Sequence, residues 1–224
     1  MSVKLIAMLT NHDKTVPGAL NIFEENKMTK TDCWGFKDIG IELEDAKKLV
    51  EKMKQEGKTT FMEPLVESEE ECLEAAQFAI DCKFEYIVGM AFYESVAEKL
   101  KGTGIKYFPT CGRRAGIPRM LYGTHQEIIE DAKRILSCEG VHGICLSVYR
   151  YKDGDPEEMA REFVLNIDRP MIITGSIGND ERLEFVKSLK PWGFTIGSAL
   201  FDDSFGHFER IADKIDSILE KLED

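Results

Sequence analysis

Short apolar runs alternate along this chain with longer segments in which apolar positions recur every three or four residues. The short runs read as β-strands: Val3–Leu9, Cys33–Asp38, Thr59–Glu63, Tyr86–Met90, Lys106–Pro109, Gly143–Val148, Met171–Thr174 and Phe194–Ile196. The longer segments carry helical stripes. Leu43, Ala46, Leu49, Val50 and Met53 form one, Ile128, Ile129, Ala132, Ile135 and Leu136 a second, and Ile211, Ile215, Ile218 and Leu222 a third. Helix starts are written chemically. Ser68 with Glu71, and Thr124 with Glu127, have the spacing of capping boxes. Asp155-Pro156 sets a cap before a proline at the first helical position.

Eight strands alternating with eight helices predict a parallel sheet. A repeat of about 25–30 residues fits a βα unit, and the simplest closure is a (βα)8 TIM barrel. An open doubly wound sheet would want a glycine-rich turn after its first strand. Here that strand ends in Leu9-Thr10-Asn11-His12-Asp13, which argues against it. No linker or composition shift divides the chain, so residues 1–224 are read as a single barrel domain.

Composition changes this picture little. Hydrophobic residues make up 43% of the 224, enough for a large core. The apolar runs are strand-sized, so no membrane span is expected, and the strand pattern that starts at Val3 leaves no room for a secretory leader. The six cysteines include no CxxC pair, and with four histidines no zinc spacing occurs. Free thiols in a cytoplasmic protein are expected. A net charge of −12 argues against nucleic acid as a partner. No cofactor is expected, and a homodimer is compatible with the chain.

In such a barrel the chemistry sits where the strands end at their C-termini. The first strand delivers Asn11, His12, Asp13 and Lys14, the second Lys37 and Asp38, the third Glu63. The fourth ends without charge in Gly89-Met90-Ala91. The fifth is followed by the longest loop, TCGRRAGIPRMLYGT, with Arg113, Arg114 and Arg119, a segment expected to cover a ligand. The sixth leads to Arg150 and Lys152. Seven basic residues on one face of an acidic protein suit an anionic substrate.

Lys37 is the sharpest single residue. Alternation in WGFKDIG turns Trp34 and Phe36 outward and Gly35 and Lys37 into the barrel mouth. Loss of solvation there would lower a lysine's pKa and fit it for a base, a Schiff-base nucleophile or an enediolate stabiliser. Glu63 on the next strand makes an acid–base partner, and His12 or Asp13 could also move a proton. These groups do not make a convincing metal set, because His12 and Asp13 are adjacent. His125, His142 and His207 read as structural, and Cys111 as a small hydrophobe.

The last two strands end alike, in PMIITGSIGND and GFTIGSALFDD. These endings resemble the phosphate-binding ends of strands 7 and 8 in the ribulose-phosphate-binding barrel superfamily, which includes sugar-phosphate epimerases, decarboxylases and phosphoribosyl isomerases. The resemblance implies that Gly175, Ser176 and Ile177 take one side of a phosphate and Gly197, Ser198 and Ala199 the other. It implies a short helix over Leu200–Asp203, with Gly206 opening the last long helix. Glycine lets backbone N–H groups approach phosphate oxygens. Ser176 replaces the second glycine of the usual pair, and no Asp-x-Lys-x-x-Asp signature or paired strand-1 and strand-5 aspartates occur.

The function implied is an enzyme acting on a small phosphorylated sugar or carbonyl compound by proton transfer next to a carbonyl, an isomerase or epimerase. The catalytic set is Lys37, Glu63, His12 and Asp13, with Arg113, Arg114 and Arg150 on the substrate's far end. A Schiff-base aldolase using Lys37 is the alternative, and a non-catalytic barrel binding a phosphorylated metabolite is the alternative of another class.

Overall fold

The computed structural model describes residues 3–116 and 118–223; Ile117, in the long fifth loop, and the segment before Val3 lie outside them. Eight parallel strands are present: β1 Lys4–Met8, β2 Cys33–Phe36, β3 Thr59–Met62, β4 Tyr86–Val88, β5 Lys106–Phe108, β6 Ile144–Leu146, β7 Met171–Ile173 and β8 Gly193–Ile196. The helices after them are α1 Ala19–Asn26, α2 Leu43–Gln55, α3 Glu69–Cys82, α4 Glu94–Leu100, α5 His125–Leu136, α6 Pro156–Asn166, α7 Asp180–Leu189 and α8 Ile211–Glu223. The strands follow chain order around the sheet, with β8 pairing β1. The ring closes between β5 and β6, where the His142 amide donates to Tyr107 O at 2.9 Å and the Cys145 amide to Pro109 O at 2.8 Å. This is a (βα)8 barrel.

The expected caps form. Ser68 accepts from the Glu71 amide, Thr124 from the Glu127 amide, and Asp155 from the amides of Glu157 and Glu158. Period-two alternation sorts the strands' side chains into two cores. Ile6, Met8, Cys33, Phe61, Val88, Phe108, Cys145 and Ile172 fill the barrel. Leu5, Ala7, Leu9, Trp34 and Phe36 face the helices.

The lower end is stopped by aromatic rings. Phe61 stacks on Tyr86 with centroids 4.4 Å apart, Trp192 lies 5.4 Å from Tyr86 and 5.9 Å from Phe108, and the Lys4 ammonium stands 5.2 Å over Trp192.

Two local expectations need correction. The short helix after β8 is a three-residue 3-10 turn over Ser198–Leu200, not Leu200–Asp203. The last helix opens at Ile211, several residues beyond Gly206. Two loops fold into small antiparallel hairpins, Thr10–Asn11 with Lys14–Thr15 and Arg113–Ala115 with Met120–Tyr122. Among the described residues, no helix is long and apolar enough to cross a membrane.

All six cysteines are free, and only Cys138 is more than slightly exposed. Burial pushes the thiols of Cys33 and Cys72 up to about 11 and that of Cys82 up to about 12. A thiol reagent at pH 8 is therefore expected to titrate one cysteine in the native protein and six after unfolding. These thiols ionise near 9.0 in the unfolded chain and later in the folded one. Their stabilising contribution is thus complete below pH 9 and is lost as pH rises toward 11 or 12. Urea melts at pH 8 and pH 10.5 should place the lower midpoint at pH 10.5.

Candidate active site

At the C-terminal ends of the strands lies a cavity of about 420 Å³, within the size range of small-ligand sites. Lys37 reaches it from the residue after β2. Gly35, two residues earlier, points the same way, and a Cβ there would stand 2.6 Å from Met8 Sδ and 2.8 Å from Phe61 O. The Lys37 side chain is 5% exposed. Its ammonium lies 3.5 Å from Asp13 Oδ1 and 3.9 Å from Glu63 Oε2.

The first loop holds Lys37 at both ends. Thr15 Oγ1 accepts the Lys37 amide at 3.0 Å and donates to Lys37 O at 2.6 Å. Asp13 comes from the tip of the same hairpin. His12 and Asp13 have φ of 47° and 61°, the pair of left-handed residues that a tight two-residue hairpin turn requires. Neither is glycine, so the turn costs backbone energy of about 1–3 kcal/mol per residue, and such strain gathers at functional sites. Asp38 takes no part in the pocket. Its Oδ1 accepts the Ile39 amide at 3.1 Å, and burial pushes its carboxyl upward.

The opposite wall is built by the ends of β7 and β8. Gly175, Ser176 and Ile177 line one side, Gly197, Ser198 and Ala199 the other. The amides of Ser176, Ile177, Ser198 and Ala199 find no hydrogen-bond partner among the described residues. The His12 amide donates to Ser198 Oγ at 3.1 Å, tying this wall to the first loop. Gly197 is fixed by packing as well, since a Cβ there would stand 2.5 Å from Thr10 Oγ1. Gly175 has φ 77° and lies under Arg150, whose Nε would meet an added Cβ at 2.7 Å. Ser176 holds φ 64° without being glycine.

Arg150 spans the two walls. Its Nη2 lies 3.7 Å from Asp13 Oδ1, and its buried Nε has no hydrogen-bond partner. A second arginine, Arg182, also lines the cavity. It sits in the first turn of α7, donates from Nη1 to Ser176 O at 2.5 Å, and rests 4.4 Å from the Tyr149 ring centre. The helix start that aims it is set by Asn179, which accepts the Arg182 amide at 2.9 Å.

Lys37, Glu63, His12, Asp13, Arg150 and the two Gly-Ser turns therefore meet in one cavity. Arg113 and Arg114 do not. Arg114 is mostly buried, donating from Nη1 to Gly89 O at 3.0 Å and from Nη2 to Glu67 Oε1 at 2.5 Å; burial pushes its guanidinium downward and Glu67 opposes this. Arg113 is exposed and stacks over Tyr122 at 4.8 Å. Arg119 lies 3.4 Å from Glu67 Oε1, and Lys14 and Lys152 point to solvent. The mouth is thus not broadly positive. Lys37, Arg150 and Arg182 share the cavity with Asp13, Glu63 and Asp202. Among the described residues no cluster of His, Cys, Asp and Glu is set to hold a metal ion.

The fifth-loop hairpin still reaches the cavity through Pro118, and Glu67 anchors it through Arg114 and Arg119. Glu67→Gln is expected to free the hairpin. Limited proteolysis near residues 112–120 should then quicken several-fold, while the melting temperature falls by a few degrees; an unchanged cleavage rate would show that Glu67 does not hold it.

The fold is shared with solved (βα)8 barrels at low sequence identity. The native KDPGal structure superposes with a TM-score of 0.69 at 14% identity, covering 100% of this chain and 96% of that one. N-(5′-phosphoribosyl)anthranilate isomerase from Pyrococcus furiosus gives 0.67 at 15% identity, covering 99% and 98%. Tryptophan synthase from M. tuberculosis, in its open form with BRD0059 bound, gives 0.68 at 10%, covering 99% and 93%. At identities this low the likeness is one of fold, that of a (βα)8 barrel. No protein-family model matches the sequence, and no curated protein matches it.

Proposed function

We propose that this protein is an enzyme that moves a proton at the carbon next to a carbonyl in a small phosphorylated sugar or oxo compound. The carrying observation is Lys37, buried between Asp13 and Glu63 and facing a wall of unpartnered amides. The phosphate would take the amides of the two Gly-Ser turns, with Arg182 and Arg150 beside it. The carbonyl would then lie over the Lys37 ammonium, which stabilises the enediolate oxygen as it forms. Glu63 on one side of Lys37 and Asp13 on the other can take and return the proton. The Pyrococcus furiosus barrel, by its name an isomerase of a phosphoribosyl compound, has the same fold.

Two carboxylates within 4 Å suit a lysine acting as a cation rather than as an attacking amine. This favours the isomerase or epimerase reading over a Schiff-base aldolase. The test is a thermal-shift screen of phosphorylated aldoses, ketoses and oxo acids, followed by NMR of each hit in deuterium oxide. Deuterium entering next to the carbonyl is the expected result. Binding without exchange would make the protein a non-catalytic binder. Borohydride trapping of a hit on Lys37 would make it an aldolase.

A further inference from the structure

We propose that Lys214, outside the cavity on α8, is a positioning residue that completes the anion subsite at the end of β8; this rests on the phosphate reading above. Among the described residues Lys37 and Lys214 are the two most buried charged residues, each 4% exposed. Lys37 has two carboxylates within reach. Lys214 has none within 4.0 Å among the described residues. Its ammonium instead donates to two carbonyls, Ala199 O at 3.5 Å and Asp202 O at close range.

Burying an ammonium without a counter-charge is costly. The carbonyls solvate Lys214 but do not neutralise it. Both belong to residues that line the cavity. Lys214 therefore stands behind the wall whose front offers the amides of Ser198 and Ala199. The amides of Ser198 and Ala199 are aimed by the 3-10 turn itself, where Gly197 O and Ser198 O accept from the Leu200 and Phe201 amides, and Lys214 caps the next carbonyl of that turn, Ala199 O. Its charge acts through the same wall on whatever sits in front.

The carboxylate of Asp202 is engaged elsewhere. Asp202 lines the cavity, but its Oδ1 accepts the Ser204 amide at 2.9 Å and it forms no ion pair with Lys214. No carboxylate among the described residues pairs with Lys214 within 4.0 Å, and a bound anion would supply the counter-charge. A dianion gains more from such a buried charge than a monoanion does, so the subsite should prefer a phosphate monoester to a carboxylate of similar size.

The experiment is calorimetric titration of inorganic phosphate into the wild-type protein, Lys214→Gln, Lys214→Arg and Lys214→Met, each at two salt concentrations. Glutamine can still donate to the two carbonyls without a charge, so it separates charge from mere capping. Lys214→Gln is expected to keep its melting temperature within a few degrees and to weaken phosphate binding about tenfold or more. It should also flatten the salt dependence of Kd, and Lys214→Arg should restore both. If Lys214→Met does not fold, the Gln and Arg pair still decides. Wild-type binding with an equal Kd and salt slope in Lys214→Gln would overturn the role of Lys214 and leave the phosphate site standing. No binding of phosphate to the wild type would overturn the phosphate site itself, and this inference with it.

Discussion

Lys37→Met is expected to cut turnover about 10²–10³-fold or more, the usual loss when one donor to a developing oxyanion is removed. Methionine has nearly the length of lysine and fills irregular gaps well. The barrel should therefore stay folded, with a melting temperature close to that of the wild type. Arg150 remains 3.7 Å from Asp13 and leaves that carboxylate a partner. Substrate affinity should change little if, as proposed, the phosphate is held on the opposite wall. The measurement is kcat and KM on a substrate identified by deuterium exchange. Full turnover in the variant would remove Lys37 from the chemistry.

Ser176→Asp is expected to weaken phosphate binding about 10²-fold, because it sets a carboxylate against the anion at short range. Ser176 is exposed and already left-handed, a conformation that aspartate adopts more readily than most residues. Folding should survive for that reason. Ser176→Asn is the matched control, nearly identical in shape and uncharged, and should bind within a few-fold of wild type. Calorimetry with inorganic phosphate reads both. Equal affinities for Asp and Asn would move the anion away from the β7 turn. Gly197→Asp would be a poorer probe, since any Cβ there collides with Thr10.

The barrel was legible because period-two and period-3.6 patterns each dominate their own segments, and capping boxes mark where one passes into the other. Lys37 was legible for the same reason. Two steps of alternation from Cys33 carry it inward, and nothing at the mouth diverts it. Arg114 misled because its partner Glu67 lies 47 residues away in the chain, a pairing no local pattern reveals. Arg182 was missed for want of one step. Asn179 before an acidic pair is a readable helix start, and it aims the third residue of α7 at the mouth. Lys214 was hidden in an apolar stripe, between Ile211 and Ile215, where a lysine reads as a solvent-facing gap. The His12-Asp13 turn gave no signal, since both residues take φ above zero without a glycine to announce it.

The aromatic stopper under the barrel divides the molecule by use. Phe61, Tyr86, Phe108 and Trp192 fill the end opposite the cavity, and Lys4 covers Trp192. A ligand of the cavity would thereby have to enter by the rim formed by the loops. Handles for surface attachment, fusion to another protein or a fluorescent reporter can be placed around the stoppered end without blocking the route in. Trp192 itself sits there as a built-in emitter, far from the reacting groups, and so would report unfolding of the barrel while staying blind to what enters its mouth.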